Sequence, residues 1–160
     1  MGSRRQAREY ALQALYQCDC LQDWSNQAVE LYFECFHSDP DSAPTVTEGE
    51  VPHQFARTLI SGVLANLDAI DGCISSCSQN WSINRMSRVD RNIIRVATFE
   101  LAFLGEIPPN VSINEAIEVA KKYAADDSPM FVNGVLDKVA ATIKENGGIP
   151  AHITKRVANG

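Results

Sequence analysis

Half of the chain's 14 basic side chains stand in two arginine rows. Arg4, Arg5 and Arg8 lie near the start, and Arg85, Arg88, Arg91 and Arg95 follow the midpoint. A guanidinium presents parallel N–H groups that match two oxygens of a phosphate or a carboxylate. Two such rows on a chain of 160 residues with formal net charge -6 read as a local site for a polyanion on an acidic body. The acidic remainder disfavours promiscuous nucleic-acid binding, which grows with the number of phosphates neutralised. The imbalance is regional: no Lys or Arg occurs between Arg8 and Arg57, while Asp19, Asp23, Glu30, Glu34, Asp39, Asp41, Glu48 and Glu50 fall in that interval. Lys121 and Lys122 form a smaller basic pair, and Tyr16, Tyr123 and Phe131 are rings on which unpaired bases could stack. The competing reading is packing and solvation: either row alone is also what a solvated helix face looks like, and Phe131 opens an apolar stripe.

The residues offer little to an enzyme. There is no glycine-rich phosphate loop, no Gly-x-Ser-x-Gly elbow and no His-Glu-x-x-His. Glu115 and Glu118 are three apart, but a di-iron pair needs histidines at matching spacing, and these are absent. Asp126 and Asp127 precede a helix start, where the helix dipole favours negative charge. His37, His53 and His152 are isolated. The cysteines number five, an odd count without a paired framework. Cys18, Cys20, Cys73 and Cys77 could supply four sulfurs to zinc, but reduced thiols acting as small hydrophobes explain them more simply. The expectation is no catalytic residue, no metal and no cofactor. No apolar run approaches the ~20 residues of a membrane span, and the basic N-terminus lacks the apolar core of a secretory signal. A soluble intracellular protein is expected.

The elements that position these residues follow from apolar spacing. Ser3 and Gln6 have capping-box spacing, and Ala7, Tyr10, Ala11, Ala14 and Leu15 share one helix face. Val29, Tyr32, Phe33 and Phe36 predict a second helix over 27–37, followed by a loop rich in Pro, Ser and acids. Pro52 suits a first turn, and the apolar spacing from Phe55 through Ile74 predicts one long helix weakened at Gly72. Ser87 and Asp90 cap the next, whose stripe is Ile93, Ile94, Ala97, Leu101 and Leu104, with Gly105 and Pro108–Pro109 ending it. Ser112 and Glu115 look like another capping box. Ser128 with Pro129 starts a last helix, striped by Phe131, Val132, Val135, Leu136, Val139 and Ile143 and stopped by Gly147–Gly148. No two-residue alternation or hairpin signal appears. The fold class is all-α, with six or seven helices.

Three segments, RRQAREYALQALYQ, RVDRNIIRVATFEL and VSINEAIEVAKKYAADDSPMFVNGVLDKVA, resemble the signature segments of the bacterial NusB family, in the same order, from Arg4 to Ala140. The resemblance implies two small helical bundles packed across each other in a cytoplasmic, non-catalytic RNA-binding antitermination factor. It implies binding to the boxA element of nascent ribosomal-operon RNA together with NusE, a protein of the small ribosomal subunit, within an RNA polymerase complex that holds other Nus factors. By resemblance Arg4, Arg5 and Arg8 meet the RNA, and Gln13 and Tyr16 extend that surface. Arg95, Tyr123, Asp127 and Phe131 match positions beside the RNA, while Asp90 falls where NusE contacts lie. Arg91, in row with Arg95, and Lys122 complete the expected RNA set. Two departures stand out: Met130 occupies a place where a lysine is common, and Ala124 one where a glycine is common.

The expected unit is a single helical domain over 1–146, with a frayed tail over 147–160. Two arginine rows converging into one cationic surface edged by rings would recognise single-stranded RNA, whose bases expose their edges. On that reading Arg8→Ala weakens RNA binding and leaves folding intact. Three alternatives remain open. Some ribosomal-RNA cytosine methyltransferases begin with a similar domain, but this chain lacks cofactor-binding strands. A helical protein-interaction module or homodimer, its arginines serving salt bridges, is the second. The third and least favoured, an enzyme, would carry a metal or cofactor.

Overall fold

A computed structural model describes residues 2–37, 50–78 and 82–150. Among them there are seven α-helices: α1 Gly2–Leu21, α2 Asn26–His37, α3 Glu50–Ala65, α4 Leu67–Cys77, α5 Arg88–Phe103, α6 Pro109–Tyr123 and α7 Ser128–Asn146, with a short 3-10 turn at Ile83–Arg85. α1 packs on α2 and α3; α4, α6 and α7 gather around α5. The two groups join where α1 and α3 meet α5. Ala7, Ala11 and Ala14 are fully buried on α1, and such small side chains let neighbouring helices come close. Among the described residues, no single helix is long and apolar enough to cross a membrane. The acidic stretch 39–49 and the tail 151–160 lie outside the described residues. Of the tail expected to fray, Ile149 packs against the core.

Local signals account for most boundaries. Ser87 Oγ accepts from Asp90 N at 3.0 Å, as its spacing requires. α7 ends on Gly147 in the left-handed region, φ 70°, with Gly148 N donating to Ile143 O at 3.0 Å. Two expectations are corrected. The long helix from Phe55 to Ile74 is two helices meeting at 79°, broken at Asn66 rather than Gly72. Asn66 Nδ2 donates to Gly62 O at 2.8 Å, offering the backbone an alternative to the helical ladder. α6 starts at Pro109, not at a Ser112 cap. Ser112 and Glu115 sit inside the helix, where their side chains reach α5 and α1.

Candidate nucleic-acid interface

The arginine rows part company at the α1–α5 contact. These helices run antiparallel, with charges closing both ends of their seam. At one end Arg8 meets Glu100: Nε lies 3.1 and 3.0 Å from the two carboxylate oxygens, and Nη2 lies 2.6 Å from Oε1. Ser112 Oγ adds a hydrogen bond to the same Oε1 at 3.1 Å. The pair is inside the protein, with side-chain exposures of 6% and 1%. At the other end Asp19 collects Arg91, through Nε at 2.6 Å, Arg95 Nη1 at 3.2 Å and Asn92 Nδ2 at 3.0 Å. Arg95 turns its remaining fork to Asp71, at 2.8 and 2.9 Å, and lies over the Trp24 ring. Burial alone would raise the Asp19 carboxyl; hydrogen bonds from Arg91 and Asn92, with the charges of Arg91 and Arg95, reverse that and hold it below its ordinary value. Burial wins at Asp71, which is pushed up despite Arg95.

The expected cationic surface shared by both rows is therefore corrected. Arg8, Arg91 and Arg95 point into carboxylates that fix the register of α1 against α5. As placed, these guanidinium groups direct their forks inward at carboxylates.

The remaining candidates do assemble. On the α1–α6 face Arg5 is exposed, Tyr16 and Tyr123 present part of their rings, and Lys122 extends over the Tyr123 ring; Arg4, also exposed, turns toward the Phe55 ring of α3. Gln13 ties this strip together: its Nε2 donates to Tyr123 Oη at 3.3 Å, and its Oε1 accepts from Tyr32 Oη at 2.7 Å. A second group forms where the N-termini of α5 and α7 meet. Asp90, Asp127 and the half-buried Phe131 line a cavity of about 160 Å³ with Arg85, Met86 and Ser87. Asp90 Oδ1 is buried there and accepts no hydrogen bond among the described residues. Met130, at the lysine-like position, is 83% exposed and offers no charge. The four cysteines considered for zinc are not gathered among the described residues; Cys20 is exposed, and burial pushes the Cys18 thiol up to about 11.

A family model described as the NusB family matches residues 5–141. The chain belongs to the NusB family. It is 47% identical over 145 residues to the transcription antitermination protein NusB of Citrifermentans bemidjiense, covering 91% of this chain and 99% of that one. It resembles the solved NusB of T. maritima, with TM-score 0.72 and 36% identity over 95% of this chain and 96% of that one. It also resembles a chain in the crystal structure of the antitermination factors NusB and NusE in complex with dsRNA, with TM-score 0.72 and 25% identity, covering 89% and 98%.

Within this NusB-family fold, the residues that sequence reasoning passed over are the acids. Asp19 and Glu100 organise the seam, and Glu115, read as a cap, holds Arg5 with Nε–Oε2 at 2.8 Å and Nη2–Oε1 at 3.0 Å. A signal existed for two of them. Asp19 follows Leu15 by four residues, and Glu100 follows Ala97 by three, so each lies on an apolar stripe. An acid at a position the helical period assigns to the core needs a cation opposite it.

Proposed function

We propose that this chain is a non-catalytic, cytoplasmic RNA-binding transcription antitermination factor. It engages the boxA element of nascent ribosomal-operon RNA together with NusE and joins the RNA polymerase elongation complex with other Nus factors. Its family and the relatives described above support this reading. The observation that carries it is the Gln13–Tyr123 hydrogen bond, which joins residues 110 apart in sequence and makes one surface of the α1 and α6 candidates. On that surface Arg5 and Lys122 position the phosphate backbone, with Arg4 beside Arg5 at the α3 edge, while Tyr16 and Tyr123 offer rings for stacking. Asp127 and Phe131, in the α5–α7 cavity, take a base edge and a base face. Asp90, beside them, faces NusE. Arg8, Arg91 and Arg95 act through position, holding α1 on α5. The functional unit is the helical domain over 1–146, and a homodimer is a state in which the α1 surface is covered.

Fluorescence anisotropy with labelled boxA RNA, with and without NusE, tests this reading. Single-stranded boxA RNA is expected to bind better than a shuffled sequence or the same sequence as a duplex, and NusE is expected to tighten it. Arg4→Ala and Tyr123→Ala each weaken binding, by about five- to a hundredfold for the lost stack. Equal affinity for boxA and shuffled RNA in the presence of NusE would refute the reading. A dimer that persists in sedimentation at RNA saturation would favour the interaction-module alternative.

A further inference from the structure

On the α1–α6 face, carboxylates of this chain already occupy the cations. Arg5 gives its fork to both oxygens of Glu115, at 2.8 and 3.0 Å. Lys122 Nζ lies 2.6 Å from Glu9 Oε1, and Lys121 Nζ lies 3.0 Å from Glu118 Oε1. Arg5, Glu9, Glu118, Lys121 and Lys122 line one open cleft of about 380 Å³ between the two helices. Arg4, next to Arg5 in α1, is not among the residues paired with these carboxylates; it lies over the Phe55 ring of α3, 5.0 Å from its centre.

These pairs differ in kind from those of the seam. Their cations reach into solvent: Arg5, Lys121 and Lys122 have side-chain exposures of 50%, 59% and 62%, against 6% for Arg8, while Glu115 and Glu9 are 21% and 14% exposed and Glu115 Oε2 also lies 3.9 Å from Arg8 Nη1. A pair whose cation stands in solvent contributes less to stability and opens more readily than one with both partners buried. The two oxygens of Glu115 sit in front of Arg5 as two oxygens of a phosphate would, because one guanidinium fork suits both.

We infer that Glu115 and Glu9 are intramolecular competitors of RNA phosphates. They hold Arg5 and Lys122 extended on the surface and are displaced when the RNA backbone docks. This inference rests on the RNA-binding reading. It has two consequences. A polyanion approaching the face meets nearly balanced charge, so long-range steering is weak. A docking phosphate also ejects a carboxylate, which then takes a cation from solution. Net counterion release, and with it the salt dependence of binding, falls short of the number of phosphate contacts.

The test is RNA affinity across a salt titration, with single-stranded boxA RNA and a shuffled RNA as probes. Glu115→Gln keeps the shape and removes the charge; Glu9→Gln does the same at Lys122. Each is expected to tighten both RNAs by about two- to fivefold and to steepen the slope of log affinity against log salt by up to about 0.7. The gain from Glu115→Gln is expected to vanish in an Arg5→Ala background. Glu30→Gln, which frees Arg57 at the α2–α3 contact instead, is expected to change little. Equal gains from Glu30→Gln and Glu115→Gln would overturn the inference, as would a Glu115→Gln gain that survives Arg5→Ala. A Glu115→Gln chain that fails to fold would also overturn it, since a displaceable carboxylate cannot be one the fold requires. If the wild-type chain binds neither RNA at low salt, the RNA-binding reading itself fails, which is a separate outcome.

Discussion

Arg8 directs its donors at a carboxylate that is 1% exposed, and Ser112 completes that carboxylate's hydrogen bonding. Two charges taken out of water roughly recover their desolvation cost in each other, so the pair adds little net stability. Removing one partner is another matter. Arg8→Ala leaves Glu100 charged and buried, and a loss of about 3–5 kcal/mol is expected, read from the denaturant midpoint. Replacing both partners with apolar residues, as in Arg8→Met with Glu100→Leu, is expected to restore most of it. If Arg8→Ala alone left the midpoint unmoved, the pair would not be part of the folded core. RNA affinities measured on Arg8→Ala therefore report folding before recognition, and Arg4→Ala is the variant that reads the surface. The charge of Arg8 was legible in the sequence but its address was not. Helical spacing places Arg8 beside the apolar stripe of α1, yet only the position of Glu100 on a helix distant in sequence decides which way the side chain turns.

α5 and α7 were legible because their signals are local: the Ser87 cap, the apolar stripes and the Gly147 stop each need only neighbours in sequence. The bend between α3 and α4 and the true start of α6 were not, because tertiary partners decide them. Asn66 terminates a stripe that continues unbroken in apolar spacing, and Ser112 gives up capping for Glu100. Gly62 belongs to the same class. A Cβ added there would lie 2.1 Å from the Phe99 ring tip, so α3 and α5 approach as closely as they do only because that position has no side chain. Phe99 is itself buried and stacks on Phe103 with ring centres 5.4 Å apart, which limits its retreat. Alanine gains up to about 1 kcal/mol of helix propensity over glycine. Overpacking costs about 1–3 kcal/mol, so Gly62→Ala is expected to be destabilising on balance. Phe99→Leu in the same chain is expected to recover part of the loss in thermal unfolding. A Gly62→Ala chain that melted higher than wild type would show that the ring moves aside freely.

Across the described residues, charge is sorted into an inner set that fixes helix register and an outer set that faces solvent. The inner set should govern the acid limb of stability. The Asp19 carboxyl is lowered in the fold, because hydrogen bonds from Arg91 and Asn92 outweigh its burial; Glu115, of the outer set, is also lowered, by its hydrogen bond from Arg5, and adds a smaller share. A carboxyl lowered by folding binds fewer protons folded than unfolded. Its stabilisation is present above the unfolded value near 4 and is lost as pH falls through the lowered folded value. Asp71 has the opposite sign: burial raises it, so between the unfolded value and its raised folded value the fold takes up the proton first, and acid favours the folded chain. Denaturant unfolding between pH 7 and 3 is expected to show stability falling below pH ~4, where the lowered groups outnumber the raised one. Asp19→Asn, which leaves Arg91 and Arg95 short of an acceptor, is expected to be less stable at pH 7 and to lose less on acidification. Asp71→Asn is expected to abolish the stabilisation that acid brings just above the unfolded value of about 4, leaving the fall below it unopposed. Parallel pH profiles for wild type and both variants would mean that neither carboxyl changes its proton affinity on folding, and that the α1–α5 seam does not set the acid limit.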